Sequence, residues 1–557
     1  MLMLGTATVS SSVTVTVTTS TTFPCTMPPL ASLLLAACAA ALPAATAASC
    51  GSKSGGPTDA PTATAYGRGA YAWADAMVPW NCTYNIKDFA GSPDEAFEAA
   101  QAEALRGGGG VVYFPAGTYA FARNISIASN IVIRGAPVGG AQAKSGKRPG
   151  SLNPATVFQC PNKAHQGVWN FDPQATNIGV VNVLLDQCAV MFWPGLVTSS
   201  YAPMQSSWWF SATDVAGMGS NKLVLGNVVR DVSLGKSLLS KGQYTYPYIF
   251  SIAIGVYSDR NALVANNLLP ASARAETTSL PWYPAPVPYA YDNRYGIDVN
   301  TELLGAVASA YCRGAGSKCG TASAFGGLSP ACAPWNFRRG LVIRDNWVAQ
   351  NGRVGISWSG GADAAPACAQ GSGTQVLNNH VEVRAGTTCY YISGDAAPRG
   401  SDTNENRGYL LSGYCSNVTG NTGHINRQVS GKGPYETVDG EGILHQSQNG
   451  NWGYGDLIAH NDLSGGSSGY ILNCAWRRRQ PAAQAPPTAA SSPPPPPANP
   501  LTHAGDLKTT TDTLWDSNTV NSDQQIGVLC LNDDTAGAGN ACRNNSPKAT
   551  LCKQTCG

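Results

Sequence analysis

Charge is scarce in this chain: 12% of its 557 residues are Asp, Glu, Lys or Arg, against roughly 25% in average proteins. Lys and Arg (35) nearly balance Asp and Glu (33). That balance excludes the basic footprint expected of nucleic-acid binding and any global attraction to anionic membranes. Zinc-type spacing is missing too, since none of the 17 cysteines forms a CxxC pair with matching Cys or His partners. No metal or cofactor is expected, and calcium is left open. The first 48 residues contain no charged side chain at all.

Several features point outside the cell. Residues 7–22 are a Ser/Thr/Val stretch, but Met27 opens an apolar run from Leu30 to Leu42 that ends in Ala45-Thr46-Ala47. No Lys or Arg precedes the run, yet run and cleavage site resemble a signal peptide, with Met27 as the expected start. The run is too short to span roughly 30 Å of hydrocarbon, so secretion is expected rather than a membrane span. Cysteines at 312, 319, 332, 530, 542, 552 and 556 suit disulfides in an oxidising compartment. Four N-x-S/T acceptors occur, at Asn81, Asn124, Asn417 and Asn544.

A repeat decides the fold. A six-residue unit (apolar, any, any, Asn, any, apolar) recurs around Asn227, Asn267, Asn346, Asn379, Asn421, Asn461 and Asn518. A second unit alternates with it: Gly255-Val256, Gly296-Ile297, Gly355-Ile356, Tyr391-Ile392, Gly442-Ile443, Tyr470-Ile471 and Gly527-Val528. Fixed self-similarity of this kind marks a solenoid. Asn suits the turns because it tolerates left-handed backbone angles, and stacked Asn side chains can hydrogen-bond from coil to coil. A sandwich with Asn-containing turns is the alternative. The expected fold is all-β, a single-stranded right-handed parallel β-helix with long loop insertions. It is preceded by residues 1–48 and a linker over 49–80, and fills 81–557. Within it lie a Pro-rich surface insertion at 480–500 and a Cys-rich cap at 530–557.

Ser92-Pro93-Asp94-Glu95 reads as N-cap, N1 proline and capping-box Glu. The helix that follows puts Phe97, Ala100, Ala104 and Leu105 on one face and stops at Gly107, the expected C′ glycine. Ile86-Lys87-Asp88-Phe89, this helix, the run Gly110-Val111-Val112-Tyr113-Phe114-Pro115-Ala116-Gly117-Thr118-Tyr119 and Asn130-Ile131-Val132-Ile133-Arg134-Gly135 together resemble the opening of pectate-lyase-superfamily proteins. The resemblance implies a parallel β-helix and carbohydrate chemistry, without selecting among hydrolases, lyases and epimerases. It departs from the family at Ser92-Pro93-Asp94-Glu95, where an Asp-Asp-Thr-type run is usual. Neither the polygalacturonase aspartate signatures nor the Arg-x-Pro-x-x-Arg run of pectate lyases is present.

With Ile297 and Ile356 inward, alternation puts Arg294, Gly296, Asp298, Arg353, Gly355 and Ser357 outward, and Tyr391, Ser393 and Asp395 in the same columns. Insertions at 301–340, 359–374, 396–412 and 473–513 would wall a groove over a floor of Gly and Ser. The candidate catalytic residues are Asp298, Asp395, Asp439 and Glu441 as carboxylates, with Arg294 and Arg353 to meet a uronate. Tyr295, Trp358 and Trp452 would stack on sugar rings, and Arg407 would hold an anionic one. His445 falls in an inward register, while His380 and His460 flank ladder asparagines at turns. The expected partner is a polysaccharide and the expected state a monomer. A glycan-binding wall or matrix protein without catalysis is the rival to an enzyme.

Overall fold

The computed structural model describes residues 50, 55–137, 152–160, 167–170, 172, 175–192, 219–232, 252–256, 258, 260–270, 275–278, 287–290, 295–299, 339–350, 354–360, 369–383, 405–413, 415–425, 439–445, 455–465, 468–472, 514–521, 528–530, 541–543 and 545. Successive coils add one strand to each of three parallel sheets. The first has 12 strands, from Thr83–Asn85 to Ala541–Arg543. The second has 10, from Gly117–Ala120 to Thr519–Asn521. The third also has 10, from Ile125–Ser126 to Val528–Cys530. A two-stranded antiparallel pair, Ala275–Thr278 with Val287–Ala290, is the one departure from parallel pairing among the described residues. The expected parallel β-helix is thus what the chain forms.

One inward column of the first sheet shows why these residues build strands. Val112, Ile133, Val180, Val224, Val264, Ile343, Val376, Val418 and Ile458 follow each other in register. All are fully buried and all are β-branched, the shape that packs on a pleated surface. Burying each stabilises the coil by about 1.5–3 kcal/mol.

The turn from first to second sheet carries the asparagine ladder. Asn Nδ2 donates to the next Asn Oδ1 along Asn227, Asn267, Asn346, Asn379, Asn421, Asn461 and Asn518 at 2.9–3.1 Å, and Asn545 adds an eighth rung. Each of these seven Nδ2 groups also donates to a carbonyl of the coil before it, such as Asn346 to Val264 O at 2.9 Å. The left-handed backbone, however, belongs to the preceding residue: Gly226, Asn266, Asp345, Asn378, Gly420, His460 and Ser517 have φ between 52° and 70°. The ladder asparagines are retained for their amides, not for turn geometry. A second ladder, which the repeat did not announce, joins Asn130, Asn177, Asn221 and Asn261 at 2.7–2.9 Å. Its members are themselves left-handed.

The capping helix runs Pro93–Arg106 and has the full capping box. Phe97, Ala100 and Ala104 are buried, and Phe97 stacks on Phe114 at 6.3 Å over the open end of the core. Leu105 is 43% exposed and does not share that face. Gly107 is the C-cap at φ −83°, and the left-handed position is Gly108. A Cβ on Gly107 would overlap Tyr84 Oη, so the tyrosine ring would have to shift to admit one.

Residues ahead of the first coil form a strap. Helices Pro61–Tyr66 and Ala72–Asp75 lead to Cys82, which is disulfide-bonded to Cys50. A second disulfide joins Cys160 and Cys188. Strap residues Ala60, Tyr66, Tyr71, Trp73, Met77, Val78 and Trp80 share an apolar cluster with Val111, Val132, Leu223, Leu225 and Leu263 of the first sheet's outer face. No helix among the described residues is long and apolar enough to cross a membrane.

Candidate functional site

The third sheet carries most of the candidate residues, and its register decides which of them meet. Tyr295, Ile297, Asp298 and Val299 lie opposite Val354, Ile356, Ser357 and Trp358, as alternation demands. Val256 is two residues out of the expected alignment, since Ile254 takes the place opposite Ile297. The next strand is Glu405–Gly413, with Tyr409 opposite Ile356. Tyr391-Ile392 is therefore not the unit that follows Gly355-Ile356, and the interval 396–412 holds a strand rather than a wall loop. Tyr409 is an effective substitute: it is fully buried and its hydroxyl donates to Asn379 O at 3.1 Å and Thr422 O at 2.8 Å. Further along, Tyr470 rather than Ile471 lies opposite Ile443.

Between the paired positions runs a column of small residues. Gly167 pairs with Ala189, and the flanking pairs bring Ala253, Gly296, Gly355, Gly408, Gly442 and Gly469 into line after it. Gly355 was expected to face outward as groove floor. Instead a Cβ on it would overlap Val381 Cγ1 of the core and lie 2.7 Å from Gly408 O. At Gly167 and Gly355 the strand passes too close to its neighbours for a side chain.

Trp358 is not a sugar platform. It shares the parity of Ile356 and is fully buried, with Nε1 donating to Ser416 Oγ at 3.4 Å. The alternation that put Ile356 inside also puts Trp358 there, so the sequence held the signal. His445, in register with Leu411 and Leu472, falls in the same column, since Leu411 lies opposite Trp358.

The charged candidates separate into two groups. Asp298 stands in a register column with Met191, Gly255, Ser357, Leu410, Leu444 and Ile471, in which it alone is charged. The strand Asp439–His445 adjoins Glu405–Gly413, with Asp439 opposite Glu405 and Glu441 opposite Arg407. Asp298's strand is three steps from Asp439's, about 14 Å at ~4.8 Å per strand. That is beyond the roughly 6.5–9.5 Å that spans one glycosidic bond in inversion. Glu405 has no signal in the repeat, because its strand carries Tyr409 where Ile or Val marks the other coils. Arg294, Arg353, Asp395 and Trp452 lie outside the described residues.

The second sheet presents a polar cluster of its own. His380 opens the strand His380–Val383, stacks on Trp347 at 3.6 Å and shares a proton between Nδ1 and Thr422 Oγ1 at 2.8 Å. Its Nε2 stands 3.5 Å from Glu382. Burial holds the imidazole below its ordinary range, against the pull of Glu382. His460 is at a turn, as expected, with φ 55°, and is exposed, whereas His380 lies in a strand. Among the described residues no group of three or more His, Cys, Asp or Glu is placed to hold a metal ion.

Comparison with known proteins bears on the opening coils. Residues 83–192 match the family model described as Rhamnogalacturonase A/epimerase, pectate lyase-like. The match ends two strands short of Asp298 on the third sheet. No curated protein matches the chain in sequence. Among solved structures, the mannuronan C-5 epimerase A-module of Azotobacter vinelandii is similar at 13% identity, covering 82% of this chain and 99% of that one, with a TM-score of 0.30. An exopolygalacturonase from Thermotoga maritima aligns at 10% identity over 83% and 91% with a TM-score of 0.36. The surface adhesin PfbA of Streptococcus pneumoniae aligns at 12% over 83% and 84%, also at 0.36.

Proposed function

We propose that this chain, whose coils are those of a pectate-lyase-like parallel β-helix, is a secreted enzyme acting on a uronate-containing extracellular polysaccharide. One observation carries the proposal: Glu405 and Arg407 stand in register with Asp439 and Glu441 at the leading ends of adjoining strands, ahead of the point where Tyr409 enters the core. Carboxylates on neighbouring strands are about 4.8 Å apart at the backbone, near the roughly 5–5.5 Å of a retaining glycosidase. An arginine beside them is suited to a uronate carboxylate. For elimination or epimerisation, the same set offers a base for the proton α to the carboxylate and a cation for the charge that develops. Asp298 and Tyr295, on a strand of the same sheet, are proposed as a further subsite, and Arg294, Arg353, Asp395 and Trp452 are proposed from the sequence as additional substrate contacts. Secretion is supported by the apolar run from Leu30 and by two disulfides in the described residues.

The test is a panel of neutral and uronic polysaccharides, read by reducing ends and by absorbance near ~235 nm, where the double bond of a base-catalysed elimination absorbs. Asp439→Asn and Glu441→Gln are each expected to lower turnover by about 10²–10⁴-fold. Full activity in both variants would overturn the assignment of the site. A non-catalytic glycan-binding role is favoured by the isolation of Asp298 in its column. It predicts binding without new reducing ends or absorbance on any member of the panel.

A further inference from the structure

Of the three N-x-S/T acceptors within the described residues, one combines an open amide with an open hydroxyl. Asn124 and Ser126 are both exposed, while Ile125 between them is 2% exposed and anchored in the core. Period two therefore turns the amide and the hydroxyl to the same solvent side. Ser126 belongs to the edge strand of the third sheet, which pairs on one side only. The backbone just before is held, because Ala122 N and Arg123 N donate to the Asp94 carboxylate at 2.9 and 3.0 Å. Gln101 of the capping helix fixes the backbone just after, donating to Ser126 O at 3.0 Å and accepting from Ala128 N at 2.9 Å, while the Asn124 and Ser126 side chains stay exposed.

Asn417 is the opposite case. It lies inside the first sheet between the strands Gln375–Leu377 and Leu457–Ala459. Its Nδ2, the atom a glycan would occupy, donates to Gln375 Oε1 at 2.8 Å, and Thr419 Oγ1 donates to its Oδ1. Gln375 is in turn held by Gly371 O at 2.9 Å and Gly373 O at 2.8 Å. A bulky glycan on Asn417 would have to break this chain of bonds. Asn81 is exposed, but Thr83 of its acceptor is 2% exposed and the intervening Cys82 is bonded to Cys50.

We propose that Asn124 is an N-glycosylation site and that Asn417 stays unmodified; the inference rests on the secretory reading of the chain. To separate the two, the full chain is expressed in a eukaryotic host twice, once with its own N-terminus and once behind a heterologous secretory leader. In the leader form, enzymatic deglycosylation should convert Asn124 to Asp in the tryptic peptide 124–134 and leave peptide 408–427 unchanged. Asn124→Gln and Ser126→Ala should each remove one glycan from the secreted protein, the second without touching the acceptor amide. A secreted chain with peptide 124–134 unmodified, or with Asn417 occupied, overturns the proposal. Retention of the native form inside the cell, beside a glycosylated leader form, would count against secretion alone.

Discussion

The outer face of the first sheet has two ends built on different rules. One register column runs Arg134, Val181, Leu225, Ala265, Arg344, Leu377, Thr419, Ala459, Asp516 and Arg543. At the near end, Val181, Leu225 and Ala265 are buried beneath the strap. At the far end the same column holds Thr419 and an Asp516–Arg543 ion pair of 2.8 Å. Two arginines of the column mark the limits of the covered stretch. Arg134 Nη1 donates to Asp59 O at 2.6 Å. Arg344 donates to Tyr71 Oη at 3.1 Å and lies over the Tyr66 ring at 4.5 Å, while Tyr66 Oη donates to Asp345 at 3.3 Å. The interior column from Val112 to Ile458 is apolar throughout because every coil needs a core. This outer column runs unbroken in apolar residues only beneath the strap, from Val181 to Ala265, and mixes apolar with polar and charged residues beyond it.

Moving the far end's chemistry to the near end should have the largest effect. Leu225→Asp places beneath the strap the residue type that the column carries at 516, and it buries a charge without a partner. An expected loss of at least about 3 kcal/mol, read from the denaturant midpoint, contrasts with a loss within roughly 1 kcal/mol for Asp516→Leu, because half-exposed pairs contribute little. Equal losses would erase the distinction between the two ends.

A smaller effect is expected at Lys222, an inward residue of the covered end. It is 2% exposed, its Nζ donates to Ala175 O, and burial lowers its pKa from 10.5 to about 7 despite the pull of Asp172. The lowered value means that the unfolded chain binds the proton more tightly. Stability from this group therefore falls as pH drops from 10.5 towards 7 and is level below that. Lys222→Met should raise stability near neutral pH, on the order of a few kcal/mol, with the advantage shrinking as pH rises towards 10.5. An advantage that grows with pH would refute the assignment.

The smallest effect is expected at the limit of the strap. Tyr66→Phe removes the bond to Asp345 and leaves the ring under Arg344, for a loss of about 1 kcal/mol in thermal or denaturant unfolding. The Tyr66 hydroxyl is held well above its ordinary range, first by burial and then by Asp345. No phenolate should therefore appear from it in an alkaline absorbance titration until the fold is lost.

How much of this could be read in advance depended on the period of each signal. The ladder was legible from Asn227 to Asn518 because the same buried amide recurs with apolar neighbours at fixed offsets. Asn545 escaped because no Gly or Tyr followed by Ile or Val comes after it in the sequence. The third-sheet strand Glu405–Gly413 escaped because Tyr409 stands where Ile or Val was sought. That omission hid Glu405 and placed Asp395 in a column occupied by Leu410. The strap was read as a linker because its apolar residues, Tyr66, Tyr71 and Trp73, follow neither a strand nor a long-helix period.

By itself, the sequence determined the coil: alternation set the inward columns, recurring Asn set the turns, and Ser92-Pro93-Asp94-Glu95 started the cap. Each of these is a local rule, written within a few residues and repeated. Only the tertiary structure decided which coils neighbour each other, and hence that Glu405 and Arg407 stand in register with Asp439 and Glu441 and not with Asp298. It also decided that the strap lies on Leu225 and not on Thr419. The reason is physical: insertions of unequal length separate the coils along the chain. Contacts across strands depend on register in space, which no count along the chain supplies.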